Sequence, residues 1–156
     1  MSFYAEIYTD GSCHTQHCIG AWAAAVLIDG KKVMLSGKCE NTTHNRMEIL
    51  AVINAIKHVL QDQKNVTEIK IVSDSQYVIG LISRQVKFES SGFKTKAGDA
   101  IRNVDLVKEL LDLVTKVKVQ FVKIKAHQKP TDDVNYNIVV DKLARQIVRD
   151  AVKTIF

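Results

Sequence analysis

Residues 21–28, Ala21-Trp22-Ala23-Ala24-Ala25-Val26-Leu27-Ile28, form an unbroken apolar run, and Asp29-Gly30 follows at once. A strand covered on both faces reads this way, because neither side needs polar residues. Asp29-Gly30 supplies the backbone freedom of a tight hairpin and turns the chain into a second strand over residues 32–38. Upstream, residues 3–9 alternate, with Phe3, Ala5 and Ile7 on one face and Tyr4, Glu6 and Tyr8 on the other. The chain therefore opens as an antiparallel meander of three strands.

The remainder alternates in type. Thr42-Thr43-His44-Asn45 offers capping residues before a run over 45–60, where Met47, Leu50, Ala51, Ile53, Ala55, Ile56, Val59 and Leu60 cover much of a helix circumference. A strand over 68–73 and a helix over 75–83 follow. Residues 84–102 show no period and carry Arg84, Lys87, Lys94, Lys96 and Arg102 around Phe88 and Phe93. A helix capped by Asn103 is expected over 103–116, a strand over 117–125, a loop around Pro130 over 126–136, and a last helix from about 137 to 152. Three antiparallel strands followed by alternating helices and strands imply an α/β fold: a mixed five-stranded sheet with helices on both faces. Repeats and domain linkers are absent, so residues 1–156 read as a single domain with a basic segment at about 84–102.

Four acidic residues stand at marked positions in this scheme. Asp10 ends the first strand, Glu48 lies in the first turn of the first long helix, Asp74 ends the fourth strand, and Asp141 begins the final helical stretch. Taken singly, each reads as a turn residue, a cap or a solvated charge. Together they form a set that repels itself unless a cation is present, and a divalent metal is the natural counter-charge. Four such carboxylates can hold two ions about 4 Å apart, the arrangement that cleaves phosphodiesters. Mg²⁺ suits oxygen ligands best, with Mn²⁺ as the alternative. The net charge of +5 must then lie elsewhere on the surface, which favours a polyanionic partner. Three cysteines, an odd number without a disulfide framework, together with an N-terminus lacking a secretion signal, point to a reducing, cytoplasmic setting. No run is long enough to span a membrane.

The motifs Thr9-Asp10-Gly11-Ser12-Cys13, Thr42-Thr43-His44-Asn45-Arg46-Met47-Glu48, Asp74-Ser75-Gln76-Tyr77-Val78, Gly92-Phe93-Lys94-Thr95, Asn103-Val104-Asp105-Leu106, Lys125-Ala126-His127 and Asp141-Lys142-Leu143-Ala144-Arg145 resemble type 1 ribonuclease H. They occur in that family's order and cover essentially the whole chain. The resemblance implies a ribonuclease H-like fold and a metal-dependent endonuclease that cuts the RNA strand of an RNA–DNA hybrid, leaving 5′-phosphate and 3′-hydroxyl ends. It implies that Asp10, Glu48, Asp74 and Asp141 bind metal, and that His127 serves proton transfer or product release. It also implies that Gly11, Ser12, Cys13, His44, Asn45 and Gln76 reach into the minor groove of the hybrid. Thr43 would help hold a DNA phosphate, and the segment bearing Lys94 and Lys96 would grip the DNA strand. Phe88 and Phe93 could pack against sugars or anchor that segment. A free-standing monomer is expected.

The chain departs from the family's pattern in the turn His14-Thr15-Gln16-His17-Cys18-Ile19-Gly20 and at His44, where an asparagine is common. The run Cys13 to Cys18 contains four potential zinc ligands, but the loop is short and Cys13 belongs to the family motif, so zinc is the weaker reading. Proofreading exonucleases, a rival on the same architecture, usually open with an Asp-x-Glu element that Asp10-Gly11-Ser12 lacks. A non-catalytic hybrid-binding module is a second rival, and the full set of carboxylates argues against it.

Overall fold

The computed structural model describes residues 4–62, 65–125 and 134–155. Its centre is a five-stranded sheet in the order β3-β2-β1-β4-β5. β1 (Tyr4–His14), β2 (Ile19–Ile28) and β3 (Lys31–Cys39) are antiparallel neighbours. β4 (Glu68–Ser73) and β5 (Lys118–Lys123) add in parallel on the other side of β1. Helices α1 (His44–Asp62) and α4 (Val104–Lys116) pack on one face of the sheet, and α5 (Tyr136–Lys153) packs on the other. This is the mixed sheet with helices on both faces that the sequence predicts.

The apolar run of β2 now has its cause. Ala24 and Val26 face the core shared with α1, whereas Ala23 and Ala25 face Val140 and Ala144 of α5. Both sides are buried, so neither tolerates a polar residue. Asp29 and Gly30 both take positive φ, 52° and 74°, and close a two-residue hairpin of the type that matches the strand twist. On α1, Ile49, Val52, Ile53, Ala55, Ile56 and Val59 are all buried against the sheet and α4. Each of the larger side chains contributes about 1.5–3 kcal/mol by leaving water, which anchors the helix firmly at its middle.

Four features differ from the sequence reading. β1 does not end at residue 9. Its antiparallel pairing with β2 continues through Asp10↔Ala23 to His14↔Ile19, while its parallel pairing with β4 stops at Thr9↔Ser73. Asp, Gly and Ser are poor strand formers, which hid the extension. Residues 84–102 are not all irregular: α3 (Gln85–Ser91) follows α2 (Gln76–Ser83) directly and ends at Gly92 with φ 66°. Seven residues are too few to show a helical period. Glu48 is the fifth residue of α1 and Asp141 the sixth of α5, so neither sits in a first turn where the helix dipole acts. Asn103 precedes α4 with φ 57° but does not cap it with its side chain. Its side-chain Oδ1 instead accepts from Arg46 at 3.3 Å, and its Nδ2 donates to the Tyr77 hydroxyl at 3.0 Å, linking α1, α2 and α4.

Candidate active site

Two strands and one helix deliver three carboxylates to one point. Asp10 stands on β1 one residue past the end of the parallel pairing with β4. Asp74 follows the end of β4 and precedes α2. The turn that holds it is tightly bonded: the Ser75 amide donates to Ser73 Oγ at 3.0 Å, and Ser75 Oγ accepts from the Val78 amide at 3.2 Å as the N-cap of α2. Glu48 comes from α1, which crosses over β1 at Gly11. A β-carbon on Gly11 would lie 2.7 Å from the Glu48 nitrogen and 2.8 Å from the Met47 carbonyl carbon. The glycine is what lets the helix backbone come close enough to bring Glu48 beside Asp10.

Asp10, Glu48 and Asp74 each offer a carboxylate oxygen, and these atoms all lie within 4.8 Å of one another. Asp10 is 4% exposed and Glu48 2%. Burial, then the charges of Glu48 and Asp74, then the hydrogen bond shared with Asp141 push the Asp10 carboxyl up to about 10. Burial also raises the Glu48 carboxyl, against the hydrogen bond from His44. That same bond, at 3.0 Å from His44 Nε2 to Glu48 Oε1, raises the His44 imidazole. Asp141 on α5 lies against Asp10 but outside the mutual set of three, and its Oδ1 pairs with Arg145 at 3.1 Å.

Above this cluster opens a cleft of about 440 Å³. Of the predicted site residues, Asp10, Gly11, Ser12, Cys13, His44, Asn45, Glu48, Asp74, Gln76 and Asp141 line it. Thr43 does not. It sits exposed at the start of α1, where its hydroxyl accepts from the Arg46 amide at 3.3 Å. Lys94 and Lys96 line a second hollow of about 280 Å³ with Arg84, Lys87 and Phe88. Phe88 is buried in the main core and stacks on Phe93 with centroids 6.2 Å apart, so the pair anchors the basic segment. Arg84 and Lys108 lie over the Phe88 and Phe93 rings, at 4.9 and 5.2 Å from their centroids. His127 falls outside the described residues. Tyr77, Ser75 and Arg145 also line the cleft and were not singled out from the sequence. The i, i+4 spacing of Asp141 and Arg145 on a helix was the available signal for the last.

The side chains of the Cys13–Cys18 segment have partners of their own. Cys13 Sγ donates to the Thr42 carbonyl, Cys18 Sγ to the Thr15 carbonyl, and the His14 and His17 rings stack at 4.9 Å. Burial raises the Cys13 thiol, the wrong direction for a thiolate ligand. Among the described residues the carboxylate triad is the one group that converges as metal ligands do.

The model of the RNase H family matches residues 4–149. The chain belongs to the RNase H family. It is 33% identical over 146 residues to a ribonuclease H of Caldicellulosiruptor saccharolyticus, covering 92% of this chain and 95% of that one. It is 36% identical to a ribonuclease H of Wolbachia pipientis wMel over 93% and 95% of the two chains, and 34% identical to one of Chlorobium phaeobacteroides over 96% and 99%. Among solved structures, this RNase H family member superposes on LC9-RNase H1, described as a type 1 RNase H with the type 2 active-site motif. The TM-score is 0.79 at 21% identity, covering 96% of this chain and 74% of that one. The foamy viral protease-reverse transcriptase in complex with dsDNA shares the fold at a TM-score of 0.72 and 23% identity, over 91% and 92% of the two chains.

Proposed function

We propose that this RNase H family member is an endonuclease that hydrolyses the RNA strand of RNA–DNA hybrids, leaving 5′-phosphate and 3′-hydroxyl ends. The observation that carries the reading is the convergence of Asp10, Glu48 and Asp74 within 4.8 Å on the floor of an open cleft. The residues fit a hard divalent cation. The ligand atoms are all carboxylate oxygens, and Glu48 Oε2 is buried without a hydrogen-bond partner. Asp10 gives up its proton only with difficulty among its neighbours, so a bound positive charge relieves the cluster. When bound, a pair of such ions supplies water activation and stabilises the leaving oxygen. Asp10, Glu48, Asp74 and Asp141 would hold them as Mg²⁺, with Mn²⁺ as the alternative.

The chain's own residues supply position and grip. Ser12, His44, Asn45 and Gln76 line the cleft with donors and acceptors suited to reading 2′-hydroxyls in a minor groove. The peptide groups of Gly11 and Cys13 extend that surface, and Thr43 stands at its margin. Lys94 and Lys96, on the segment anchored by Phe88, attract the DNA strand through its phosphates. His127 would move a proton or assist product release, as the family resemblance implies. One continuous sheet supports treating 1–156 as one domain, and all the proposed groups lie on one chain, which suits a monomer. The free thiols of Cys13, Cys18 and Cys39 suit the cytoplasm. No described helix is long and apolar enough to cross a membrane.

The test uses an end-labelled RNA strand paired with DNA, paired with RNA, or alone, with Mg²⁺ or with chelator. Cleavage confined to the hybrid with metal is the expected result. Intact hybrid bound without cleavage would overturn the reading in favour of a binding module.

A further inference from the structure

His44 and Glu48 stand four residues apart on α1, so their side chains meet on one face of the helix. They meet across the boundary between solvent and interior: the His44 side chain is 58% exposed and that of Glu48 3%. His44 Nε2 lies 3.0 Å from Glu48 Oε1. The other carboxylate oxygen, Oε2, is buried and makes no hydrogen bond. The two oxygens of one carboxylate are thus in opposite situations, one tied by a donor from the cleft wall and one unpartnered. A buried acceptor without a partner is costly, and Asp10, which lends Glu48 a hydrogen bond while it keeps its proton, has only further acceptors to offer once a cation ionises it.

A glutamate carboxylate turns about its last torsion in a broad, two-fold well, so its two oxygens exchange readily unless something distinguishes them. The imidazole does so here. It is a rigid ring with only two side-chain torsions, and it approaches from the exposed side of the carboxylate. We propose that His44 is a positioning residue for the metal centre: by donating from Nε2 to Glu48 Oε1, it reserves Oε2 as the atom that ligates the divalent cation. The inference rests on the metal-centre reading above and assigns a task to a residue that does not touch the ion. Outer partners of this kind orient ligands and raise their affinity for metal. His44 also lines the cleft, but its effect on the ion requires no nucleic acid.

The experiment measures Mn²⁺ binding to the full chain without nucleic acid, at one fixed pH, from the paramagnetic resonance signal of free Mn²⁺. Four proteins are compared: wild type, His44→Leu, His44→Gln and Asp10→Asn, each shown to be folded by circular dichroism. His44→Leu should bind Mn²⁺ about tenfold or more weakly, whereas His44→Gln, which keeps an N–H donor at similar reach, should stay within about threefold of wild type. Wild-type affinity in His44→Leu, with binding lost in Asp10→Asn, would overturn the role of His44 alone. Equal weakening in both His44 variants would also overturn it, because a donor role requires glutamine to rescue. Undiminished binding in all four proteins would remove the metal-centre reading and this inference with it.

Discussion

Arg46 and Asp105 meet through two parallel hydrogen bonds, 3.0 Å from Nη1 to Oδ1 and 2.8 Å from Nη2 to Oδ2. The pair fastens the start of α1 to the start of α4, two residues from Glu48 in one direction and two from Asn103 in the other. The guanidinium, despite a small opposing effect of burial, holds the Asp105 carboxyl at about 2, below its ordinary 3.8. A group depressed on folding contributes stability that is complete above its unfolded pKa and disappears as the pH falls through its folded value. The Asp105 side chain is 62% exposed, so screening limits the contribution to about 0.5–1 kcal/mol. Asp105→Asn should lower the urea midpoint modestly at pH 6 and match wild type near pH 2. A deficit that persists undiminished in acid would contradict this.

Gly11→Ala should both destabilise and disable the protein. The added β-carbon meets backbone atoms of Met47 and Glu48, which cannot swing aside as a side-chain tip would. Overpacking of this kind costs about 1–3 kcal/mol. The displacement also moves Glu48 away from Asp10, so cleavage of a hybrid should fall by more than the loss of folded protein explains. Thermal melting and single-turnover cleavage on the same preparation separate the two effects.

Asp10→Asn should stabilise the metal-free protein while abolishing cleavage. The Asp10 carboxyl titrates at about 10 when folded and near its ordinary 3.8 when unfolded. Between those values the native state holds a proton that the unfolded chain does not, so wild-type stability falls as pH rises through this window. The asparagine variant lacks that slope. In chelator at pH 8 its melting temperature should exceed wild type by about 3 °C or more, corresponding to about 1 kcal/mol for a chain of this size. Identical pH profiles for the two proteins would refute the electrostatic account of the cluster.

Lys94→Ala and Lys96→Ala should leave thermal stability unchanged, since both side chains are exposed. Each should reduce the slope of log affinity against log salt by about one unit for hybrid binding in chelator. Phe88→Ala offers the contrast: it should cost about 3 kcal/mol as a core truncation. A salt slope that does not move in either lysine variant would detach this segment from substrate binding.

The sequence disclosed what periodicity and burial write into it. β2 and α1 were legible because each is buried around most of its surface, and the Asp29-Gly30 hairpin because positive φ at both positions restricts the residue types. The three converging carboxylates were legible from their motifs, though the local reasons given for three of the four acidic positions, Asp10, Glu48 and Asp141, differ. Asp10 lies within a strand rather than at its end, and Glu48 is paired by His44 rather than by a helix dipole. α3 escaped because its seven residues make less than two full turns, too few to repeat a pattern. The side chain of Asn103 was assigned to a cap because capping is local, whereas its actual partners, Arg46 and Tyr77, are remote in sequence.

The different terminations of the two strand pairings around β1 have a consequence for how the protein breathes. Asp10 remains laddered to β2 after β4 has turned away, and β1 is the middle strand of five. The floor of the cleft therefore belongs to the last part of the molecule to open, and its amides should exchange with solvent only at the rate of global unfolding. α3 and the segment after it that bears Lys94 and Lys96, with Phe88 as the one buried side chain of the helix, belong to the first part to open. The basic segment and the carboxylates thus occupy separate tiers of local stability, so the surface proposed to hold nucleic acid can drift in sequence or loosen with temperature while the carboxylates keep their registration.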